Sequence, residues 1–175
     1  MTPEKLHLAL NHVVILLPLA ALVPLIAGLC TKSRVTLISG AAIALAGSLM
    51  TGVVMGSGEE AYERYNDGPV AAYLDPGAGA ALDRHEARAH TWAKVMYALA
   101  AASLASLVIA FAKPQWLRPA SRAVIVLCVA SVMVGVYIAD SGGDIRRPDF
   151  RDRPPDEDAT TSPETARNHA PPDSF

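Results

Sequence analysis

The chain has 175 residues, of which 51% are hydrophobic and 18% are charged, and its formal net charge is −2 at pH 7. A chain of this size forms a single domain, and its balanced charge offers no basic surface for nucleic acid. Its two cysteines form no Cys-x-x-Cys pair, which argues against a disulfide framework and against covalent haem attachment.

Four apolar stretches without an ionisable side chain predict four membrane-spanning helices, at residues 13–30, 35–55, 95–112 and 123–139. A helix of this length crosses a hydrocarbon core about 30 Å thick, and only a helix satisfies its own backbone in lipid. We therefore predict an all-α, polytopic membrane protein. Its up-down bundle of four transmembrane helices covers residues 1–147, with spans near 8–30, 35–58, 91–112 and 121–141.

The first helix is predicted to begin near residue 3, because residues 2–4 (Thr-Pro-Glu) combine a capping residue, a helix-initiating proline and an acid. This start places His7 and His12 on the helix, near its first end. Pro18 and Pro24 lie inside the span. In lipid such prolines predict a bend and a neighbouring helix that covers the loosened backbone.

Small residues recur every four positions along the second span. The series is Gly40, Ala44, Ser48, Gly52 and Gly56, and it ends in Glu60. Small residues at this spacing let a second helix approach closely, and we expect the tightest point at Gly52 and Gly56. The fourth span has a weaker series that includes Ser131 and Gly135. The predicted packing residues are Gly40, Ser48, Gly52, Gly56 and Gly135.

Residues 61–84 are predicted to form an outer loop, with Asn66-Asp67-Gly68-Pro69 as a strong turn signal. The third helix can begin as early as Asp83. After Gly142-Gly143 the composition shifts to Asp, Glu, Arg and Pro, so residues 148–175 are predicted to be a disordered tail.

Basic residues in the two short connections predict the orientation in the membrane. The connection after the first span carries Lys32 and Arg34, and the one after the third carries Lys113, Arg118 and Arg122. Loops of this kind stay in the cytoplasm. The N-terminus, the 61–84 loop and the C-terminus are then expected outside, in the periplasm of a cell with two membranes.

This topology gathers ionisable side chains at the outer rim of the bundle: His7, His12, Glu59, Glu60, His85, Glu86, His90 and Asp140. The histidines form two His-x4-His pairs, and five residues turn a helix by about 500°, so one member of each pair can face inward. We expect His12 and His90 to lie deeper and to serve as axial ligands of haem b, with Glu86 orienting His90. A metal ion bound by members of the set His7, His12, Glu60, His85 and His90 is the alternative ligand. Histidines and acids near helix ends also cap neighbours or reach to water without any cofactor.

Three functions follow from these alternatives. The first is a membrane redox protein that passes electrons between a quinol and an outside acceptor. The second is an accessory or scaffold subunit, whose small-residue faces dock other membrane subunits or a second copy in the bilayer. A small transporter is disfavoured, because no ionisable residue lies near the middle of a span. Hydrolysis is disfavoured too, since His85, Glu86 and His90 miss the zinc-protease spacing by one residue.

Four short motifs carry a resemblance to a known family: Leu6-His7 through His12, Thr51-Gly52 through Gly58-Glu59-Glu60, Arg84-His85-Glu86 and Gly142-Gly143. Over residues 6–147 the chain resembles the bacterial four-helix membrane proteins of the DUF2231 type, a family of unknown function. The resemblance implies a bundle in the bacterial plasma (inner) membrane with its polar cluster outside. It also implies that His85 matters as much as His90.

Overall fold

The computed structural model describes residues 2–68 and 77–147, and within these residues the chain is helical. The helices are α1 (Pro3–Leu10), α2 (Val13–Thr31), α3 (Arg34–Asp67), α4 (Ala78–Ala112) and α5 (Leu117–Arg146), with a 3₁₀ turn at Pro114–Trp116. Four helical segments are long and apolar enough to cross a membrane: Pro3–Thr31, Arg34–Asn66, Ala78–Ala112 and Pro114–Arg146. The predicted all-α class and four apolar spans are confirmed, with the first helix starting at Pro3 as expected.

The predicted 61–84 loop is wrong at both ends, because α3 continues to Asp67 and α4 already begins at Ala78. Tertiary contacts support these extensions: Ala78 and Ala81 are fully buried, and Tyr62 Oη donates to Asp83 Oδ1 at 2.9 Å. The predicted turn at 66–69 lies partly outside the described residues, and the predicted disordered tail at 148–175 lies wholly outside them.

The four long helices pack as a ring in chain order. Helix α2 contacts α3 and α5, and α4 contacts the same two helices, while α1 packs on α3. Short connections at 32–33 and 113–116 reverse the chain direction, which gives the predicted up-down bundle. We call the end that carries the four described histidines the histidine end. The opposite end, with Lys32, Arg34, Lys113, Arg118 and Arg122, is the basic end.

Helices α2 and α3 approach most closely where α3 lacks a Cβ. A Cβ on Gly40 would lie 2.6 Å from Leu25 Cγ, so Gly40 lies in the contact between the two helices. A Cβ on Gly47 would lie 2.6 Å from Leu17 Cβ and 2.9 Å from Pro18 Cδ. The backbone of α3 therefore covers the helix around Pro18, as the proline predicted, although Gly47 itself was not anticipated.

The predicted small-residue face of α3 does not stay on one side of the helix. Gly40 and Ser48 are buried, but Gly52 and Gly56 are exposed and have no atom within 4 Å of an added Cβ. Each step of four residues turns an α-helix about 40° beyond one full turn, so Gly52 lies about 120° from Gly40. The prediction that Gly52 and Gly56 form the tightest packing point is therefore wrong within this chain.

The buried line of α3 instead alternates steps of three and four, the spacing that keeps a helix facing its neighbours in a bundle. It runs through Leu37, Ala41, Ala44, Ser48 and Thr51. On α5 the corresponding line includes Ser131 and Gly135, and a Cβ on Gly135 would lie 2.6 Å from Ile15 Cγ1. Ser48 and Gly135 thus both lie in the interior of the bundle.

Three apolar clusters fill the interior along the bundle axis. The basic end holds Leu37, Ala110 and Leu117; the middle holds Ala21, Leu25, Ala44, Leu99, Val124 and Cys128; the histidine end holds Val14, Val54 and Met96. Large apolar side chains also cover the outside, among them Val23, Val35, Phe111 and Met133. A bundle with an apolar exterior as well as an apolar core is typical of a membrane protein.

Candidate functional site

Two histidines from different helices face each other at the histidine end. His7 of α1 and His85 of α4 are both half-buried, and their ring centroids lie 6.2 Å apart with an interplanar angle of 88°. Helices α1 and α4 are not neighbours in the ring, so this contact crosses the bundle.

Hydrogen bonds define which nitrogen of each ring carries the proton. His7 Nδ1 lies 3.0 Å from the carbonyl oxygen of Val54, and His85 Nδ1 lies 3.1 Å from that of Ile138. A carbonyl oxygen only accepts, so Nδ1 donates in both rings and the neutral imidazole keeps its lone pair on Nε2. Ser141 Oγ, 3.1 Å from His85 Nδ1, donates its own proton to Ile138 and accepts from the ring. Histidines that bind metals are commonly oriented in this way.

Each imidazole packs against a glycine, which lets the ring lie close to a helix backbone. A Cβ on Gly58 would lie 3.0 Å from both Cε1 and Nδ1 of His7, and one on Gly142 would lie 3.3 Å from Cε1 of His85. Any larger residue would push these rings away from the carbonyl groups that orient them. The two glycines stand in the motifs that carry the family resemblance, but sequence reasoning assigned them no contact with the histidines.

A cavity of about 410 Å³ surrounds the histidine pair, and its lining residues come from α1, the junction at residues 11–12, α3, α4 and α5. This volume lies in the range of small-molecule sites, about 300–1,000 Å³. Its apolar part includes Val54, Met55 and Leu82. Within the described part of the chain, the acids of the lining are Glu4, Glu59 and Glu86, and Arg146 is its one arginine or lysine.

In each His-x4-His pair, the histidine that is more buried in the structure is not the one that was expected to lie deeper. His12 and His90 line the cavity but are exposed, so the expectation that they are the buried pair is wrong. On α4 the buried line through Ala78 and Ala81 leads to His85. Five residues further, His90 is turned about 140° away from it.

The predicted carboxylate partners also lie at the rim. Glu86 Oε1 is 3.7 Å from His90 Nε2, too far for the expected hydrogen bond, and His90 has a side-chain exposure of 56%. Glu60 is exposed, and its neighbour Glu59 lines the cavity instead. Across residues 2–68 and 77–147, no three His, Cys, Asp or Glu side chains are placed to hold a metal ion. The predicted set of His7, His12, Glu60, His85 and His90 is therefore not brought together as one ligand group.

An ion pair that the sequence did not reveal connects α1 with the end of α3. Glu4 Oε1 lies 3.2 Å from Arg64 Nε, a contact between charges that lacks the geometry of a hydrogen bond. The first-turn acid Glu4 was interpreted only as a helix-start signal. Its partner is 60 positions away in the chain, and local sequence patterns carry no information on such a pair.

No family model, curated protein or solved structure matches this chain. The resemblance to the DUF2231 type therefore stays a prediction. The features that bear on function are the histidine pair, its hydrogen bonds and the cavity around it.

Proposed function

We propose that this protein is a small membrane haem protein, which holds haem b between His7 and His85 and works in electron transfer. The observation that carries the proposal is the paired orientation of the two imidazoles. Each ring gives its Nδ1 proton to a backbone carbonyl, so each Nε2 has a lone pair available for iron.

The number of available ligands favours haem over a bare metal ion. A porphyrin occupies four positions of the iron, and the protein supplies one or two axial ligands. Protein-bound zinc needs three or four protein ligands. The site offers two inward imidazoles, and no third His, Cys, Asp or Glu joins them within the described residues.

The separation of the rings fits this ligand set. Two imidazole nitrogens about 2.0–2.1 Å from a shared metal, with each ring centre about 1.2 Å beyond its nitrogen, place the centroids about 6.5 Å apart. The observed separation is 6.2 Å. The rings meet in a T-shaped contact with an interplanar angle of 88°, and binding of haem would require each Nε2 to turn toward the iron.

Two axial histidines leave the iron without a free position, which suits electron transfer better than substrate chemistry. The basic connections argue that the histidine end faces outside, since Lys and Arg in short loops are retained in the cytoplasm. We therefore propose that haem b exchanges electrons with a quinol in the bilayer and an acceptor outside a bacterial plasma membrane.

The test is a haem titration of the full chain, purified in detergent and recorded oxidised and dithionite-reduced. Wild type and the rim variants His12→Ala and His90→Ala should give the same reduced b-type spectrum. His85→Ala should lose it, and His7→Ala should change it to that of a haem with one histidine ligand. A wild type that stays colourless with added haem, or equal losses in all four variants, would contradict the proposal.

A scaffold role is the second candidate, favoured by the open positions of Gly52 and Gly56. Both are exposed, and an added Cβ would meet no atom within 4 Å, so another helix could approach α3 there. Gly52→Leu and Gly56→Leu should then abolish association with a second copy or another membrane subunit, measured by mass in detergent and by cross-linking in membranes. Unchanged association in both variants would exclude this role.

A further inference from the structure

Helix α1 is attached to the bundle differently from every other described α-helix. It has eight residues and none of them is buried, and it packs on α3. The longer helices α2, α4 and α5 each bury a line of side chains along their length. Packing therefore holds α1 in place much less firmly than it holds the helix that carries His85.

The junction between α1 and α2 is a turn at Asn11 and His12. Asn11 N–H donates to His7 O at the end of α1, and Leu16 N–H donates to His12 O at the start of α2, so these bonds lie on either side of the junction. Asn11 Oδ1 is buried and has no hydrogen-bond partner in the described part of the chain. A buried oxygen without a hydrogen bond costs free energy, so it disfavours the arrangement in which α1 packs against the bundle.

Two polar contacts hold α1 against α3. His7 Nδ1 donates to the Val54 carbonyl at 3.0 Å, and Glu4 pairs with Arg64 at 3.2 Å. The Glu4 and Arg64 side chains are 26% and 43% exposed, although the Glu4 Oε1 atom that faces Arg64 is itself buried. The first contact is made by His7, the proposed ligand of the haem iron. The second lies one turn earlier on the same helix, where it can hold α1 closed over the cavity.

We propose that α1 is a hinged arm that opens the cavity at Asn11–His12, and that Glu4 and Arg64 are positioning residues that form its latch. His85 stays built into the contact between α4 and α5, and the arm brings His7 to it. The identity of the entering group as haem b rests on the proposed function. The opening of the cavity does not depend on that identity.

The first measurement is the rate at which a cavity thiol reacts with a polar maleimide. Ala89 lines the cavity, and its neighbour Ala87 is exposed and does not line it. Cysteines are placed at either position in the full chain carrying Cys30→Ser, with the buried Cys128 retained. Glu4→Gln and Arg64→Gln should each speed labelling at position 89 by about two- to fivefold, the equilibrium shift expected for an exposed ion pair.

Three controls make this result specific. The rate at position 87 should not change, which excludes general loosening of the bundle. Glu63→Gln, which removes an exposed carboxylate next to Arg64, should leave position 89 unchanged. The charge swap Glu4→Arg with Arg64→Glu should restore slow labelling. A swap that labels as fast as the single variants, or a rise at both cysteine positions, would overturn the latch.

The second measurement is the rate at which reduced or oxidised haem b leaves the protein for an excess of a soluble haem-scavenging apoprotein. Glu4→Gln should speed release by the same factor that it speeds labelling. Haem binding with unchanged labelling and release would refute the latch and leave the proposed function intact. Faster labelling in a protein that binds no haem would support the arm and refute haem as its ligand.

Discussion

At the basic end, α2 and α3 lie so close that Gly28 and Gly40 have no room for a Cβ, whereas at the histidine end α1 and α4 stand apart around a cavity of about 410 Å³. The close seam needs only small and apolar residues. The cavity is surrounded by histidines, carboxylates and an arginine, which are costly to bring together in an apolar protein. We therefore propose that the close seam contributes most to stability and that the cavity at the histidine end binds the ligand.

The sharpest test of this division is His85→Ala. Loss of the firmly held imidazole should weaken haem binding by more than about 100-fold, beyond the loss expected for removing an outer hydrogen-bond partner of a ligand. Thermal unfolding of the haem-free protein, followed by circular dichroism in detergent, should stay close to wild type because His85 lies beside a cavity. A large drop in the melting temperature would show that the histidine end also determines stability.

A matched pair of glycine substitutions tests the other half. Gly40→Ala places a Cβ 2.6 Å from Leu25 Cγ, and such overpacking should destabilise the bundle by about 1–3 kcal/mol. Gly52→Ala meets no atom within 4 Å, and its better helix propensity should be neutral or stabilising by up to about 1 kcal/mol. Denaturant unfolding in detergent measures both. If the two variants change the free energy of unfolding by the same sign and amount, the distinction between the close seam at Gly40 and the open surface at Gly52 does not hold.

Gly142→Ala tests whether the close contact between Gly142 and the His85 ring matters for haem binding. The new Cβ would lie 3.3 Å from Cε1, so the ring must move by a few tenths of an ångström from the groups that orient it. We expect haem affinity to fall about tenfold, the lower limit for disturbing the surroundings of a metal ligand. Gly56→Ala, in open space, is the control for adding a methyl group near this end. Equal titration curves for the two variants would argue against a role of this contact in haem binding.

The smallest effect is expected for Ser141→Ala. His85 Nδ1 loses the hydroxyl as an acceptor but keeps the carbonyl of Ile138 at 3.1 Å. Because one hydrogen bond contributes about 0.5–1.5 kcal/mol, haem affinity should fall by no more than about tenfold. A loss as large as that of His85→Ala would mean that Ser141, and not Ile138, orients the ring. The measurement is the same haem titration.

Much of the fold was predictable because the signals are local. The apolar stretches gave the four spans, and residues 2–4 marked the start of α1. The ends of the 61–84 loop were not predictable in this way. Burial of Ala78 against other helices and the bond between Tyr62 and Asp83 extend α3 and α4 beyond their apolar segments.

The sequence predicted which histidines lie at one end of the bundle, but not which two of them face each other. Sequence spacing placed His7, His12, His85 and His90 at one end and required that one member of each pair face away. Which member faces inward depends on how each helix is rotated against its neighbours. The turn at Asn11–His12 and the buried line of α4 determine that rotation, and neither is visible in the spacing of histidines.

Local sequence patterns were enough to predict four apolar helices with the four described histidines at one end, because the length and apolarity of each segment set its preference for lipid. Local patterns did not show that His7 meets His85, that Gly47 covers Pro18, or that Gly52 and Gly56 face outward. These outcomes depend on helix rotation, and a side chain that recurs every four residues drifts around a helix of 3.6 residues per turn. Contacts between helices select one rotation, and no single helix contains that information.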